Sequence, residues 1–567
     1  MIKDGKPIYY TNDNVAAAKS TRANYLNSGG GMGLNLSGEG MQINVWDGDG
    51  VRLSHQEFGG RVSIGDNGNP NTDTQSNQHA THVAGTIGAS GIDANAKGMA
   101  PKVKIKSYTW NNDNSEMATV AAQGLLISSH SYGMTGSSLD DWYFGAYIDQ
   151  SAKWDEILFN SPYYLICNSA GNDGSKNYNG TPLGGGSTTV YDNLTDTSTA
   201  KNTIVVANAN DASIDTNGNL TSVSINASSS QGPTDDLRIK PDIAGNGTGV
   251  YSPISSSNTS YATFSGTSMA TPNVSGTLVL VNQHFKNLTG NYMLGAALKG
   301  LALHTADDAG TVGPDANFGW GLLNAKKMAE TINNRNTTAL ISDKSLANGS
   351  TETVNISSDG INPIKVSISW YDRKGTVQTS SSDLNSTKKR LINDLDLRIV
   401  NSSNGTIYYP WALTSRSTND KRDNNSDNFE RIDAGILPAG QYAVTIKHKG
   451  TLTGGSQNYT LIVTGKANAG TTVKTSSGKV NSSKEITMDN LTSIYPNPAK
   501  NEINVNLGTK ASTSLTLNVF DVSGKQILTQ RAVDGRNKID ISDIPAGSYI
   551  LSVQGGKEKI SHKFIKQ

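Results

Sequence analysis

The sequence predicts an α/β domain, with a parallel sheet flanked by helices, followed by two all-β domains. Three observations lead to this fold class. Between residues 40 and 332, short apolar runs that end in glycine or acidic turns alternate with longer runs of helical periodicity. From about residue 337, apolar and polar residues alternate with period two between glycine and asparagine turns, which is typical of antiparallel sheets. A polar stretch, residues 466–490, then separates this β-rich region, residues 333–465, from a second one, residues 491–567.

Composition limits the classes of function. The 567 residues include 48 Lys and Arg and 48 Asp and Glu residues, and this neutral balance points to no nucleic-acid or anionic-membrane partner. Cys167 is the only cysteine, so no intrachain disulfide can form, and its apolar surroundings predict a buried, inert thiol. No apolar run reaches the ~18 residues that a membrane-spanning helix needs. The first residues lack a signal-peptide pattern, so we expect either a cytosolic protein or a chain that begins after processing.

The chain opens with a polar arm, residues 1–39, that contains a predicted helix over residues 14–27. The first core strand is predicted over residues 42–47 and ends at Asp47, before a glycine turn. In a parallel sheet, reactive groups collect just past the carboxyl ends of strands, so Asp47 is a candidate catalytic acid. The sequence DGDG that begins at Asp47 is also compatible with a simple turn or a fragment of a calcium loop, although the full calcium pattern is absent.

A segment with two histidines, residues 78–88 (QHATHVAGTIG), predicts a helix that packs tightly, because alanine and glycine recur among its apolar residues. We interpret His82, near the predicted helix start, as the catalytic base, and His79 as a structural or supporting residue. The spacing His79-x-x-His82 could also ligate zinc. A metallopeptidase helix would carry a glutamate beside the first histidine, however, and none lies here.

The segment 265–272 (SGTSMATP) predicts a nucleophile at the first turn of a buried helix, because Ser268 is followed by a long apolar run. The positive end of a helix dipole favours the oxyanion that forms in acyl transfer. A serine hydroxyl is a poor nucleophile at neutral pH, so this interpretation requires a histidine base and a carboxylate. His82 and Asp47 are the candidates for these two roles.

These motifs resemble those of the subtilisin-like serine peptidases, whose histidine segment reads HGTHVAGT and whose serine segment reads GTSMA. The chain order Asp47, His82, Ser268 is also the order found in subtilisin. The resemblance spans about residues 40–332 and implies a serine endopeptidase with these three residues as its triad. The chain departs from the family pattern at Ala80, where glycine is usual, and at Asn246, where proline is usual.

The resemblance also implies which residues bind substrate. Ser131, Tyr132 and Gly133 are similar to the family segment that pairs with the substrate backbone, and they would bind an extended peptide by strand addition. An ordinary buried strand is the alternative at this place. Asn172, in the family turn AGNDG, is the predicted side-chain donor to the oxyanion.

Residues 333–465 resemble the jelly-roll domain that follows the catalytic domain in some subtilisin-like peptidases, because the motifs WYD, NDLDL and PAGQY occur in that order. Asp372, Asp394 and Asp396 could meet on adjacent strands and bind a structural calcium ion through carboxylate oxygens. Solvated acids in turns are the other open interpretation of the same residues.

The last region is preceded by a predicted linker, residues 466–490, rich in lysine, serine, threonine and glycine. The motifs YPNP, FDVSG and PAGSY then occur in order within residues 491–567. They resemble the C-terminal sorting domain of proteins exported by the type IX secretion system of Bacteroidetes. The resemblance implies a secreted or surface-attached protein with the secretion machinery as a partner. Such cargo crosses the inner membrane by a signal peptide, so we expect the chain to begin after processing.

Together these patterns predict a secreted serine endopeptidase that cleaves protein or peptide substrates through an acyl-enzyme. No cofactor is expected for the chemistry. A surface adhesion or binding protein on a catalytically silent peptidase scaffold is the alternative. A secreted esterase or lipase is disfavoured, because the GxSxG motif and the order Ser-Asp-His are missing.

Overall fold

The computed structural model describes residues 2–3, 6–7, 14–186, 191–468, 491–495, 499–507, 516–521, 525–532, 535–555 and 558–567. The chain divides into two compact units, Met1–Val473 and Lys474–Gln567. Among the described residues, no helix is both long enough and apolar enough to cross a membrane.

The first part of the larger unit alternates strands and helices. Its helices are α1 (Asn14–Ser20), α2 (Ala23–Leu26), α3 (Gln75–Gly88), α4 (Asp113–Ala122), α5 (Asp149–Asn160), α6 (Thr267–Thr289), α7 (Gly295–Thr305) and α8 (Ala325–Asn333). Its strands are β1 (Ile2–Lys3), β2 (Lys6–Pro7), β3 (Gln42–Asp47), β4 (Val62–Ile64), β5 (Lys104–Thr109), β6 (Ile127–His130), β7 (Leu165–Ser169), β8 (Ile204–Ala209), β9 (Ser213–Ile214), β10 (Leu220–Ser222), β11 (Ile243–Asn246), β12 (Val250–Pro253) and β13 (Tyr261–Phe264).

Seven parallel strands form the central sheet, in the order β11-β8-β7-β6-β3-β5-β4. Strands β7 and β8 are buried along their whole length, as expected where helices cover both faces of a parallel sheet. On β3, Val45 belongs to the apolar cluster around α6, whereas Trp46 belongs to the cluster that holds Trp154 of α5. The predicted α/β fold is confirmed.

Two glycines bring α3 close to its neighbours. A Cβ added at Gly276 of α6 would lie 3.2 Å from the Cα of Ile87 on α3. A Cβ added at Gly85 of α3 would lie 2.4 Å from Pro253 of β12. The histidine helix is therefore held tightly between the serine helix and the hairpin of β12 and β13, which are antiparallel.

The predicted helix over residues 14–27 is interrupted. Arg22, between α1 and α2, has a φ of 59° in the left-handed region, so the chain changes direction there. The Arg22 side chain is fully buried and its guanidinium is paired with Asp307. The predicted helix is therefore broken at Arg22, whose side chain forms a buried ion pair with a distant part of the chain.

The second part of the larger unit is all-β. Its strands are β14 (Ala339–Ala347), β15 (Glu352–Ser358), β16 (Pro363–Ser369), β17 (Leu395–Asn401), β18 (Ile407–Tyr408), β19 (Trp411–Leu413), β20 (Asn419–Lys421), β21 (Phe429–Ile436), β22 (Gly440–His448) and β23 (Ser456–Thr464). Two four-stranded antiparallel sheets, β14-β23-β16-β21 and β15-β22-β17-β18, share one apolar core. The first of these sheets packs on α7, where His304 Nδ1 lies 2.8 Å from Ser367 Oγ. The predicted β-rich region is confirmed, and its jelly-roll topology stays a prediction.

The smaller unit contains the strands β24 (Leu491–Tyr495), β25 (Glu502–Leu507), β26 (Thr516–Asp521), β27 (Gln526–Arg531), β28 (Gly535–Asp540), β29 (Gly547–Gly555) and β30 (Glu558–Lys566). They form two antiparallel sheets, β24-β25-β28 and β27-β26-β29-β30, around a shared core. This agrees with the predicted second all-β region. Residues 469–490 of the predicted linker, 496–498 of the YPNP motif and 522–524 of the FDVSG motif lie outside the described residues.

Candidate active site

The candidate catalytic residues lie at the carboxyl edge of the central sheet, where ligands bind in open α/β folds. Asp47 is the last residue of β3 and is only 1% exposed. Its Oδ1 accepts a hydrogen bond of 2.7 Å from the backbone N–H of Gly48. Ser131 follows β6 directly, and the turn that carries Asn172 follows β7.

His79 is the histidine that contacts Asp47. Its Nδ1 lies 2.8 Å from Asp47 Oδ1 and 3.0 Å from Oδ2, so Nδ1–H donates to the carboxylate. The His79 side chain is 28% exposed, and its Nε2 is the ring nitrogen left to accept a proton. Burial alone would lower the pKa of His79, but the charge and hydrogen bond of Asp47 outweigh burial and raise that pKa above 6.5. This is the arrangement of a general base with an orienting carboxylate.

The structure corrects the prediction that Asp47 orients His82, because the histidine beside Asp47 is His79. His82 lies one turn further along α3, is fully buried and stacks on Phe264 with ring centroids 4.5 Å apart. Its Nε2–H donates to the carbonyl oxygens of Val250 at 3.0 Å and Ala262 at 3.2 Å. Burial lowers the pKa of His82 to about 3, so the ring is neutral and ties α3 to the β12–β13 hairpin.

The sequence carries a signal that distinguishes the two histidines. Helix α3 begins at Gln75, because Thr74 and Asn77 form a capping box with a hydrogen bond from Asn77 N–H to Thr74 Oγ1 of 3.2 Å. His79 therefore lies close to the end of the helix that meets the sheet edge. His82 lies one helical turn further along α3, and its side chain is buried in the core.

Ser268 is the second residue of α6, in the first turn of the helix as predicted. Two hydrogen bonds join it to Ser131. Ser268 Oγ–H donates to the Ser131 carbonyl at 3.2 Å, and Ser131 Oγ–H donates to the Ser268 carbonyl at 3.0 Å. Pro272 explains the second bond. It has no N–H to donate to the carbonyl four residues earlier in the helix, so the Ser268 carbonyl is left for the Ser131 hydroxyl.

Asn172 lies beside the start of α6. Its Oδ1 accepts hydrogen bonds from Thr267 N–H at 2.9 Å and from Thr267 Oγ1–H at 3.1 Å. These bonds fix which end of the amide is oxygen and leave Nδ2, a donor, for another partner. Gly266 is also required here, because its φ is 156° and a Cβ would lie 3.3 Å from Asn172 Oδ1.

Ser131, Tyr132 and Gly133 form one wall of a cavity of about 260 Å³ next to Ser268. A Cβ added at Gly133 would meet no atom within 4 Å, so its backbone is open to an approaching chain. Tyr132 is fixed by its Oη–H, which donates to Asp113 Oδ2 at 2.8 Å. The cavity is lined by Ser131, Tyr132, Gly133, Met134, Thr135, Ser169, Ala170, Gly171, Asn172, Asp173, Thr195, Thr197, Ser198 and Ser268.

The structure also corrects the surroundings predicted for Asp372, Asp394 and Asp396, the candidate calcium ligands, because a lysine contacts each of them. Asp372 Oδ2 lies 2.6 Å from Lys201 Nζ, and both side chains are fully buried. Lys449 Nζ lies 3.3 Å from Asp394 Oδ2 and 3.0 Å from Asp396 Oδ1. Across the described part of the chain, no group of three or more His, Cys, Asp or Glu side chains is placed to hold a metal ion. Lysines already supply the positive charge at these carboxylates.

Comparison with known proteins identifies the family of the chain. A family model described as the subtilase family matches residues 38–321, just over half of the chain. The chain belongs to the subtilase family. The subtilisin-like protease 1 of Pseudogymnoascus destructans is 28% identical to this subtilase over 244 residues, 42% of this chain and 51% of that protein. The alkaline extracellular protease of Yarrowia lipolytica is 29% identical over 241 residues, 40% of this chain and 45% of that protein.

A further relative matches a shorter region, and a solved structure has a lower sequence identity. The subtilisin-like serine protease Pen ch 13 of Penicillium rubens is 32% identical over 112 residues, 20% of this chain and 27% of that protein. The subtilase therefore spans between about a quarter and about half of the length of these curated relatives. Among solved structures, the self-cleaved protease domain of PatA has 18% identity and a TM-score of 0.39, and covers 53% of this chain and 98% of its own.

A second family model, described as a secretion system C-terminal sorting domain, matches residues 493–567. This is the region in which the sequence predicts a type IX sorting domain. The subtilase therefore carries an export signal at its C-terminus and is a secreted or cell-surface protein.

Proposed function

We propose that this subtilase is a secreted serine endopeptidase in which Ser268 is the nucleophile, His79 the general base and Asp47 the residue that orients His79. One observation carries the proposal. His79 Nδ1 contacts Asp47 at 2.8 Å, and Nε2 is left to accept a proton at the same sheet edge as Ser268. This arrangement supplies the activated nucleophile that acyl transfer needs.

In the acylation step, the Ser268 hydroxyl rotates away from the Ser131 carbonyl, to which it donates only a long bond of 3.2 Å. Its proton moves to His79 Nε2 while Oγ forms a bond to the scissile carbonyl carbon. Asp47 stabilises the imidazolium that results. His79 then gives the proton to the leaving amine as the carbon–nitrogen bond breaks, and water hydrolyses the acyl-enzyme with His79 again as base.

The tetrahedral oxyanion would be held by Asn172 Nδ2–H and by the backbone N–H of Ser268. Asn172 is suited to this because Thr267 already occupies its Oδ1 and so fixes the amide orientation. The first N–H groups of an α-helix have no acceptor within the helix, so the Ser268 N–H can serve an oxyanion.

The substrate is proposed to be an extended protein or peptide chain. It would pair with the exposed backbone at Gly133 and place one side chain in the neighbouring cavity. An open backbone edge accepts a chain that continues in both directions, which favours cleavage within a polypeptide.

Fluorophosphonate labelling tests the proposal on the full chain. Wild-type protein should be labelled at one serine and should hydrolyse casein and a peptide ester, and the Ser268→Ala variant should lose all three. The Ser265→Ala variant is the matched control, because Ser265 is an exposed serine three residues away whose Oγ accepts the Gly249 N–H at 2.9 Å. Folded wild-type protein that neither labels nor cleaves would favour the silent binding scaffold instead.

A further inference from the structure

Strand β6 and the two residues that follow it carry polar side chains on both faces of the sheet. Successive side chains of a strand point to opposite faces. On one face, Ser131 is hydrogen-bonded to Ser268. On the other face, Ser128, His130 and Tyr132 come at every second position. His130 is fully buried there and takes no part in the proposed chemistry.

His130 contacts the side chains two residues before and two residues after it. Its Nε2 lies 2.7 Å from Ser128 Oγ, and its Nδ1 lies 3.0 Å from Tyr132 Oη. The ring stacks on Trp46 with ring centroids 5.0 Å apart, and its centroid lies 4.8 Å from that of Trp154. Burial lowers the pKa of His130 to about 3, so the ring is neutral and one of its two nitrogens carries a hydrogen.

Asp113 sets the direction of these hydrogen bonds. Tyr132 Oη–H donates to Asp113 Oδ2 at 2.8 Å, and a hydroxyl has one hydrogen to donate. The Tyr132 oxygen therefore accepts from His130, whose Nδ1 carries the hydrogen and whose Nε2 accepts from Ser128 Oγ–H. Ser128 in turn accepts from Tyr164 Oη–H at 2.6 Å. Four hydrogen bonds thus run in one direction, from Tyr164 to the Asp113 carboxylate.

Both ends of this chain of hydrogen bonds lie in other elements. Asp113 is buried at the first position of α4, where the positive end of the helix dipole favours a carboxylate. Its Oδ1 accepts the Asn114 N–H at 2.6 Å, so the side chain is held at both oxygens. Tyr164 directly precedes β7 and is 1% exposed. The hydrogen bonds therefore join α4, β6 and the start of β7.

We propose that Asp113 and His130 are positioning residues for the peptide substrate, an inference that rests on the proposed function. Through Tyr132 they hold the backbone of residues 131–133, on which the substrate is proposed to pair. The bonds between Ser131 and Ser268 hold the same backbone from the opposite face of the sheet. A binding segment that is fixed before the substrate arrives loses less conformational freedom on binding, so the peptide binds more tightly.

An extended peptide amide and a small ester separate this role from a general effect on the fold. The peptide pairs with residues 131–133, whereas p-nitrophenyl acetate has no peptide chain and needs only the catalytic groups and the oxyanion site. Tyr132→Phe removes one oxygen atom from the full-length protein. The KM for the peptide amide should rise about tenfold in this variant, the effect of one lost buried hydrogen bond, and kcat/KM for the ester should change by less than about twofold.

Further variants test the order of the hydrogen bonds. His130→Phe keeps a ring between the two tryptophans and removes both nitrogens, and Asp113→Ala removes the last acceptor, so both should raise the peptide KM. Asp113→Asn keeps an oxygen that accepts from Tyr132 and should retain a KM near that of wild type. Tyr132→Phe combined with Asp113→Ala should raise KM no further than either change alone. Ser129→Ala is the matched control, because this buried hydroxyl on the same strand has no hydrogen-bond partner among the described residues.

Circular dichroism verifies that each variant is folded. An unchanged peptide KM in folded Tyr132→Phe would overturn the proposal. Equal losses with the peptide and the ester would also overturn it, because they would indicate a structural role alone, and so would additive effects in the double variant. Failure of the proposed function is distinguishable from these results, since wild-type protein would then cleave neither substrate, and both proposals would fall.

Discussion

Replacing Asp47 with asparagine leaves the burial that lowers the pKa of His79 and removes the charge that raises it. Two unit charges about 4 Å apart interact by about 4 kcal/mol at an effective dielectric constant of about 20, which corresponds to about a thousandfold in rate. An asparagine can also present its N–H₂ group to Nδ1 and favour the wrong tautomer. We therefore expect kcat/KM at neutral pH to fall by about 10⁴-fold in the Asp47→Asn variant.

The pH profile provides a second readout. Protonated His79 cannot accept the Ser268 proton, so wild-type kcat/KM should rise with pH through a pKa above 6.5. In the variant burial remains and the raising charge is gone, so the acid limb should move to lower pH. The assay is peptide-ester turnover across pH about 5 to 9. A loss of less than tenfold, or an acid limb that does not move, would refute this account of Asp47.

Stability should change with pH in the same variant. A histidine whose pKa is raised by folding stabilises the fold below its unfolded pKa, and this contribution is lost as pH rises through the folded pKa. The Tm difference between wild type and Asp47→Asn should therefore be larger at about pH 5 than at about pH 9. A difference that grows with pH would contradict the His79–Asp47 ion pair.

Substitutions at three further positions test the surrounding contacts. Asn172→Ala should lower kcat by about 10²–10³-fold with little change in KM, measured by peptide-ester kinetics, and an unchanged kcat would remove Asn172 from the oxyanion site. Ser131→Ala should lower the free energy of unfolding in urea by about 1–3 kcal/mol, because Pro272 has no N–H to replace the lost hydrogen bond to the Ser268 carbonyl. Ser131→Thr keeps a hydroxyl and should retain this hydrogen bond. Lys201→Met should lower the free energy of unfolding by about 3–5 kcal/mol in the same measurement, because it leaves the buried Asp372 carboxylate without its cation. An unchanged free energy of unfolding would show that another group balances the charge of Asp372.

The fold class could be predicted from the sequence, because the spacing of apolar residues along a segment indicates which of its faces are buried. Strands such as β7 and β8 read as continuous apolar runs and are buried on both faces, whereas β22 alternates in both sequence and exposure. The three chain positions Asp47, Ser268 and Asn172 were also predictable, since each lies where a strand ends or a helix begins.

The choice between His79 and His82 could not be made from spacing alone, because residues three apart share one face of a helix. What decides it is where α3 begins: the capping box at Thr74 and Asn77 starts the helix at Gln75, so that His79 meets Asp47 and His82 lies in the core. The lysine partner of Asp372 could not be predicted for a related reason. Lys201 lies 171 residues before Asp372 in the chain, and a partner at that distance leaves no local signal.

The most direct test of the account compares the two histidines in one active-site titration. His79→Gln cannot accept the serine proton, whereas His82→Gln can still donate hydrogen bonds to the Val250 and Ala262 carbonyls. Acyl-enzyme formation at Ser268 would be followed as a burst of leaving group from a peptide ester, with folding verified by circular dichroism. The account predicts that the burst is lost in folded His79→Gln and retained in His82→Gln. A burst retained in His79→Gln and lost in folded His82→Gln would show that His82 is the base.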